Sequence, residues 1–151
     1  MKKILSFLFL LTLTGCASVA IPNYIQDEHP YRKEFYGAYD DVLNAVTQGL
    51  HDLGWEVAKA ADPSVFEQGP SSQTPGQRQI LIFTEIRQTA LFVGTRYARI
   101  NVYLNAPSPT TVNAELRYIT VTSVPFKSFN SYRNDGFAKR LFDHVEKILA
   151  K

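Results

Sequence analysis

The chain has 151 residues, 45% of them hydrophobic and 20% charged, which is enough apolar material for one packed domain and excludes wholesale disorder. Lys and Arg number 16 against 14 Asp and Glu, but Lys2 and Lys3 stand in an N-terminal segment of the kind removed on export. Without those two the balance is 14 against 14, so nothing predicts the clustered basic excess that a nucleic-acid footprint needs.

Met1-Lys2-Lys3 is a short positive start, and Ile4 to Leu13 is an apolar run too short to span a bilayer as a lasting helix. Leu13-Thr14-Gly15-Cys16 follows, and Cys16 is the only cysteine of the chain, so no internal disulfide and no cysteine-built metal site is expected. This tetrad resembles the lipobox of bacterial lipoproteins: an aliphatic residue, a small residue, Gly or Ala, then Cys. The resemblance implies a diacylglyceryl group on the Cys16 thiol, cleavage between Gly15 and Cys16, and acylation of the freed amine. The thiol is required because sulfur is the nucleophile that forms the thioether. One acyl chain binds a membrane only marginally, whereas two or three hold firmly. Ala17 rather than Asp follows the cysteine. In Gram-negative lipoproteins that implies the outer membrane, facing the periplasm, rather than retention in the inner membrane.

Residues 16–32 read as a lipidated N-terminus and tether, with Pro22, Asn23 and Pro30 interrupting any helix and a reach of about 50 Å if fully extended. Tyr24, Ile25 and Tyr31 suggest that part of it packs on the domain, which is expected over 33–151. Lys33 to Ala38 reads as a strand. Asp40 is the expected N-cap of a first helix, Asp41 lies in its first turn, and Val42, Leu43, Val46, Leu50 and Leu53 form one apolar stripe ended by Gly54. Trp55 to Lys59 alternates as a strand. Ala61 to Arg78 is a loop, expected to be mobile at Gly69–Gly76.

Gln79 to Arg87 carries apolar residues at both parities, as a strand covered on both faces would. Arg96 to Leu104 alternates, with Ala98, Ile100, Val102 and Leu104 on one face and Tyr97, Arg99, Asn101 and Tyr103 on the other. Val112 to Tyr118 continues the pattern after a turn at Pro107-Ser108-Pro109, with Asn113, Glu115 and Arg117 outward. Leu91-Phe92-Val93 is either hairpin strand or a protruding apolar loop. Pro125 to Asn130 reads as a connection, and Phe137, Leu141, Val145, Ile148 and Leu149 as the apolar face of a second helix beginning near Ser131–Asn134.

The expected fold is therefore α+β: an antiparallel sheet of about five strands with both helices packed on one face, preceded by a signal peptide (1–15) and the tether. The element order, with YDDVLNAVTQGLHDLGWEV early and a helix last, resembles the helix-grip-like domains of outer-membrane assembly lipoproteins.

No nucleophile elbow, phosphate loop, dinucleotide fingerprint or His-Glu-x-x-His run occurs, so no catalytic residue, cofactor or metal is expected. His29 beside Asp27 and Glu28 fits a polar tether, His51 and His144 fit solvated helix faces, and Asp40 with Asp41 fits helix capping. One surface stands out: Tyr97, Arg99, Tyr103 and Arg117, with Asn113 and Glu115, share an outward sheet face if the two long strands pair. Tyr and Arg are enriched at interfaces, which makes this a candidate partner face. The expected function is a non-enzymatic, lipid-anchored envelope protein whose domain docks a periplasmic or outer-membrane partner. The alternative is a binding module that holds an apolar or amphipathic ligand between the sheet and the last helix.

Overall fold

The computed structural model describes residues 19–66 and 77–151. The signal segment, Gly15, Cys16, Ala17 and the Gly69–Gly76 stretch lie outside the described residues.

The elements in chain order are β1 (Tyr31–Tyr36), α1 (Tyr39–Asp52), β2 (Val57–Ala61), a 3-10 turn (Pro63–Val65), β3 (Arg78–Thr84), β4 (Arg87–Ala90), β5 (Thr95–Ser108), β6 (Thr111–Val124), β7 (Lys127–Ser131) and α2 (Asp135–Leu149). The expected α+β class holds, with all pairings antiparallel, but the sheet has seven strands rather than about five. Both extra strands hide from periodicity. Glu85–Ile86 splits the Gln79–Arg87 run, so that β3 pairs with the second half of β5 and β4 with its first half. The stretch read as a connection after Pro125 is β7, whose five side chains are all exposed, so burial leaves no alternation to detect.

The sheet is organised around β5 and β6, each of 14 residues, paired from Thr95 opposite Ser123 to Ser108 opposite Thr111. Two short strands lie end to end along each flank: β3 and β4 on β5, β1 and β7 on β6. At the break between β3 and β4, the buried Thr84 hydroxyl stands in for the missing backbone partner. It accepts from Ile100 N at 3.0 Å and donates to Ile100 O at 3.2 Å.

One face of the sheet carries both helices. α1 buries Tyr39, Val42, Ala45, Val46 and Leu50, and α2 buries Phe137, Ala138, Leu141 and Val145, against Ile82, Ile100, Val102, Leu104, Val112, Ala114 and Leu116. The helices meet at Gly49, where a Cβ would stand 3.2 Å from Leu141 Cδ1. The N-cap of α2 is Asn134, at the end of the stretch where the helix was expected to begin, its side chain accepting from Phe137 N at 3.1 Å. The N-cap of α1 is Ala38 rather than Asp40. The helix starts two residues earlier because Tyr39 belongs to its buried stripe, and Asp40 is left free to take both Arg78 guanidinium nitrogens at 2.6 and 2.8 Å. Gly54, at φ +77, ends α1 as expected.

The opposite face is also covered, by the N-terminal segment. Ile25 is fully buried with Ile119 and Val121, joined by Val19 and Ile21. Tyr24 and Phe66 close over Leu81, Phe83 and Tyr103. The β3 residues are thus covered on both sides, as their mixed parity implied.

Candidate functional site

The sheet face singled out by its Tyr and Arg side chains is occupied by the chain itself. Arg99, Arg117 and Tyr103 are 8%, 6% and 9% exposed, and Tyr97 is half-buried. The alternation was read correctly, since these residues do share one face, but that face is corrected from open to covered. The physical reason is that the N-terminal segment supplies the acceptors these polar groups need. Arg99 Nη1 donates to Pro22 O at 3.0 Å and to Asn23 Oδ1 at 2.6 Å. Asn101, wholly buried, accepts from Ile25 N at 2.7 Å and donates to Asn23 O at 3.2 Å. Arg117 Nη1 donates to Tyr24 OH at 2.7 Å, and its Nη2 reaches Glu115 at 3.2 Å. Burial pulls the Arg99 pKa down, with the nearby Glu85 charge opposing it. Buried guanidinium and amide groups persist only when hydrogen-bonded, so this network locks residues 19–27 to the sheet as a strap. Asn113 stays exposed and Glu115 half-buried, the latter taking Arg32 Nε at 2.9 Å. The expectation that part of the tether packs through Tyr24, Ile25 and Tyr31 is met, and packing begins as early as Val19.

The groove offered to an apolar ligand, between the sheet and the last helix, is packed with aromatic rings over most of its length and stays open near the start of α2. Trp55, Tyr118 and Phe137 pack edge-to-face and stacked with ring centroids 5.6 to 6.3 Å apart, and Phe35 meets Phe142 at 5.9 Å.

Two of the open concavities lie towards opposite ends of the sheet. At the end formed by the β5–β6 turn and the start of α1 is a cleft of about 420 Å³ lined by Tyr39, Asp40, Arg78, Ala106, Pro107 and Pro109. The Arg78 guanidinium lies 4.3 Å over the Tyr39 ring and grips Asp40 in a two-pronged ion pair, which holds the Asp40 carboxyl below its usual range. Partial burial raises the Tyr39 hydroxyl pKa. Towards the other end, a cleft of about 240 Å³ is lined by Arg87, Arg96 and Arg140 together with Trp55, Tyr118 and Phe137. Arg87 stacks 4.9 Å over Trp55.

The histidines do not converge. His29 is exposed in the strap-to-β1 link, where its backbone N–H donates to Asp27 Oδ1 at 2.9 Å. His144 of α2 sits 2.8 Å from Asp52 at the end of α1, tying the two helices together, and His51 is 3.8 Å from the same carboxylate. Among the described residues no group of three or more His, Cys, Asp and Glu side chains is arranged to hold a metal, and no helix is long and apolar enough to cross a membrane.

Leu91-Phe92-Val93 forms the tip of the β4–β5 hairpin. Phe92 is 105% and Val93 53% exposed. A second aromatic, Phe126, is 102% exposed at the tip of the β6–β7 hairpin. It escaped the sequence reading because its segment was not recognised as a hairpin; the signal available was Pro125 followed by a large apolar residue between two polar runs.

A scan against protein-family models finds no match to the chain, and a search of curated proteins finds none either.

Proposed function

We propose that the chain is a non-enzymatic, lipid-anchored envelope protein, held by lipid on Cys16 in the outer membrane and presenting its α+β domain to a periplasmic or outer-membrane partner. The observation that carries this reading is the Leu13-Thr14-Gly15-Cys16 tetrad, set behind a short positive start and a ten-residue apolar run, with its cysteine the only one in the chain. The strap supports it. Residues from Val19 onward are bound to the sheet, so only Ala17 and Ser18 separate the proposed lipid from the folded body. The anchor then acts on the domain directly, rather than through a long free tether.

The docking place on this reading moves from the strapped face to the cleft at the Pro107–Pro109 end. That cleft is open, has a proline rim, and pairs an aromatic ring with a guanidinium, groups that contribute heavily to protein interfaces. It also lies at the end of β5 and β6 away from the strap's N-terminus, where a membrane leaves room for a partner.

The reading is tested at its anchor. Cys16→Ser is expected to abolish incorporation of labelled fatty acid and to leave the precursor uncleaved. Unchanged labelling and processing in that variant overturn the lipid anchor. Photo-crosslinking groups at Arg78 and Pro107 in intact cells are expected to capture envelope proteins that a group at Arg99 does not.

A further inference from the structure

The strap runs in a definite direction. Ile25 bonds to Asn101, Pro22 and Asn23 bond to Arg99, and Val19 and Ile21 pack with Ile119 and Val121. Arg99 pairs with Ile119 and Tyr97 with Val121, so the chain, followed back from Ile25 towards its N-terminus, travels along β5 and β6 towards Thr95 and Ser123. That end of the sheet carries the two hairpin tips. They lie side by side: Thr95 pairs with Ser123, and Gly94 is so close to β6 that a Cβ would fall 2.0 Å from Ser123 O. Cys16 is three residues before Val19, a reach of at most about 10 Å, and Val121 is four residues from Pro125, about 13 Å along the strand. The described start of the strap therefore stands towards the end that bears Phe92, Val93 and Phe126, with the proposed lipid within that reach of it.

Two features show that these apolar side chains do not serve the fold. Phe92 and Phe126 are fully exposed, with no core to enter. Phe126 also adopts φ +68, a left-handed conformation that glycine or asparagine takes readily and a bulky residue only under strain. Strain kept at an exposed aromatic points to a use outside the domain. The charges around the tips have one sign. Residues 87–98 and 119–131, which build this end, contain Arg87, Arg96 and Lys127 and no Asp or Glu. Exposed aromatics on hairpins that carry cations suit an interface of anionic phospholipid headgroups over acyl chains.

We infer that the β4–β5 and β6–β7 hairpin tips insert Phe92, Val93 and Phe126 into the bilayer interface beside the lipid on Cys16, with Arg96 and Lys127 against the lipid phosphates. This rests on the proposed lipid anchor and adds a second contact, which fixes the orientation of the domain: tips down, the Pro107–Pro109 cleft pointing away from the membrane.

The test uses the mature protein reconstituted into vesicles of phosphatidylethanolamine and phosphatidylglycerol. An environment-sensitive fluorophore is placed at Phe92→Cys, Phe126→Cys or, as the distal control, Pro109→Cys. The mass of the N-terminal peptide reports whether Cys16 carries lipid. The expected result is blue-shifted emission and quenching by spin-labelled acyl chains at 92 and 126, with neither at 109. Water-like emission at both tips on vesicles overturns the inference, and leaves the anchor reading intact if Cys16 is lipidated. If Cys16 carries no lipid and the tip probes of vesicle-bound protein are still quenched, the anchor reading falls together with the placement beside its lipid, and the insertion of the tips alone stands. Tip signals that change only on adding periplasmic proteins also overturn it, assigning the tips to a protein partner. Combining Phe92→Ser with Phe126→Gly, which eases the turn, is expected to keep the fold and lose the quenching of a probe at Val93→Cys; retained quenching counts against insertion.

Discussion

At the scale of single residues, buried polar side chains do the work that regular backbone pairing leaves undone. Thr84 is the clearest case. Its hydroxyl completes the donor and the acceptor of Ile100 where β3 gives way to β4. Thr84→Val keeps shape and volume but leaves the Ile100 N–H without its partner inside the sheet, Ile100 O keeping the Asn101 side-chain amide at 3.0 Å, so a loss of about 1–3 kcal/mol is expected in urea unfolding. A variant as stable as the parent shows that the break is satisfied in some other way. Arg99, Asn101 and Arg117 follow the same rule with the strap as partner. Their polarity reads as exposure in a one-dimensional pattern, yet each is buried because a second segment brings oxygen atoms to it.

At the scale of elements, the strap behaves as an eighth extended layer without being a strand of the sheet. It closes a face that would otherwise expose Leu81, Phe83 and Tyr103, with Ile25 as its central plug. Ile25→Ala is expected to destabilise the mature domain by about 2–5 kcal/mol, the range for truncating a fully buried Ile. Chemical denaturation measures this, and a free tether would show no change. The helices were legible because a 3.6-residue repeat survives any context: the stripe of α1 and that of α2 are the faces the structure buries. β7 was not. It exposes all five of its side chains, so what makes it a strand is a neighbour with backbone groups to share.

At the scale of the whole molecule, the two ends of the sheet have different chemistry. One has aromatic tips and cations; the other has an open cleft with a paired Asp40 and Arg78. The surface charge network makes the fold mildly acid-sensitive. Asp40 is held below its usual range by hydrogen bonds from Arg78, Asp52 by His144, and Asp143 by Lys139. A carboxylate whose pKa is depressed by folding stabilises the fold above its unfolded value, and that contribution disappears as pH falls through the folded value. Stability is therefore expected to hold above about pH 4 and to decline below it, as these three groups protonate. All three are solvent-exposed, so each contribution is small and weakened by salt. Urea midpoints at about pH 6 and pH 3 check this. Asp40→Asn should reduce the difference, and equal midpoints for the parent protein at both values contradict it.

The amino-acid sequence by itself determined the local facts: two amphipathic helices, two long alternating strands, the α+β class, and the Leu13-Thr14-Gly15-Cys16 tetrad on which the anchor proposal rests. Each is written within a few consecutive turns or pleats, where side-chain spacing alone decides which face is apolar. The tertiary structure alone decided what covers each face and what shares each end. A period of two says that a strand has two sides, but it does not say that the second side of β5 and β6 is taken by residues 19–27. Nor does any local pattern place Phe92 beside Phe126, or both at the end towards which the segment after Cys16 runs, because those neighbours are set by the register of β5 on β6 across the whole sheet.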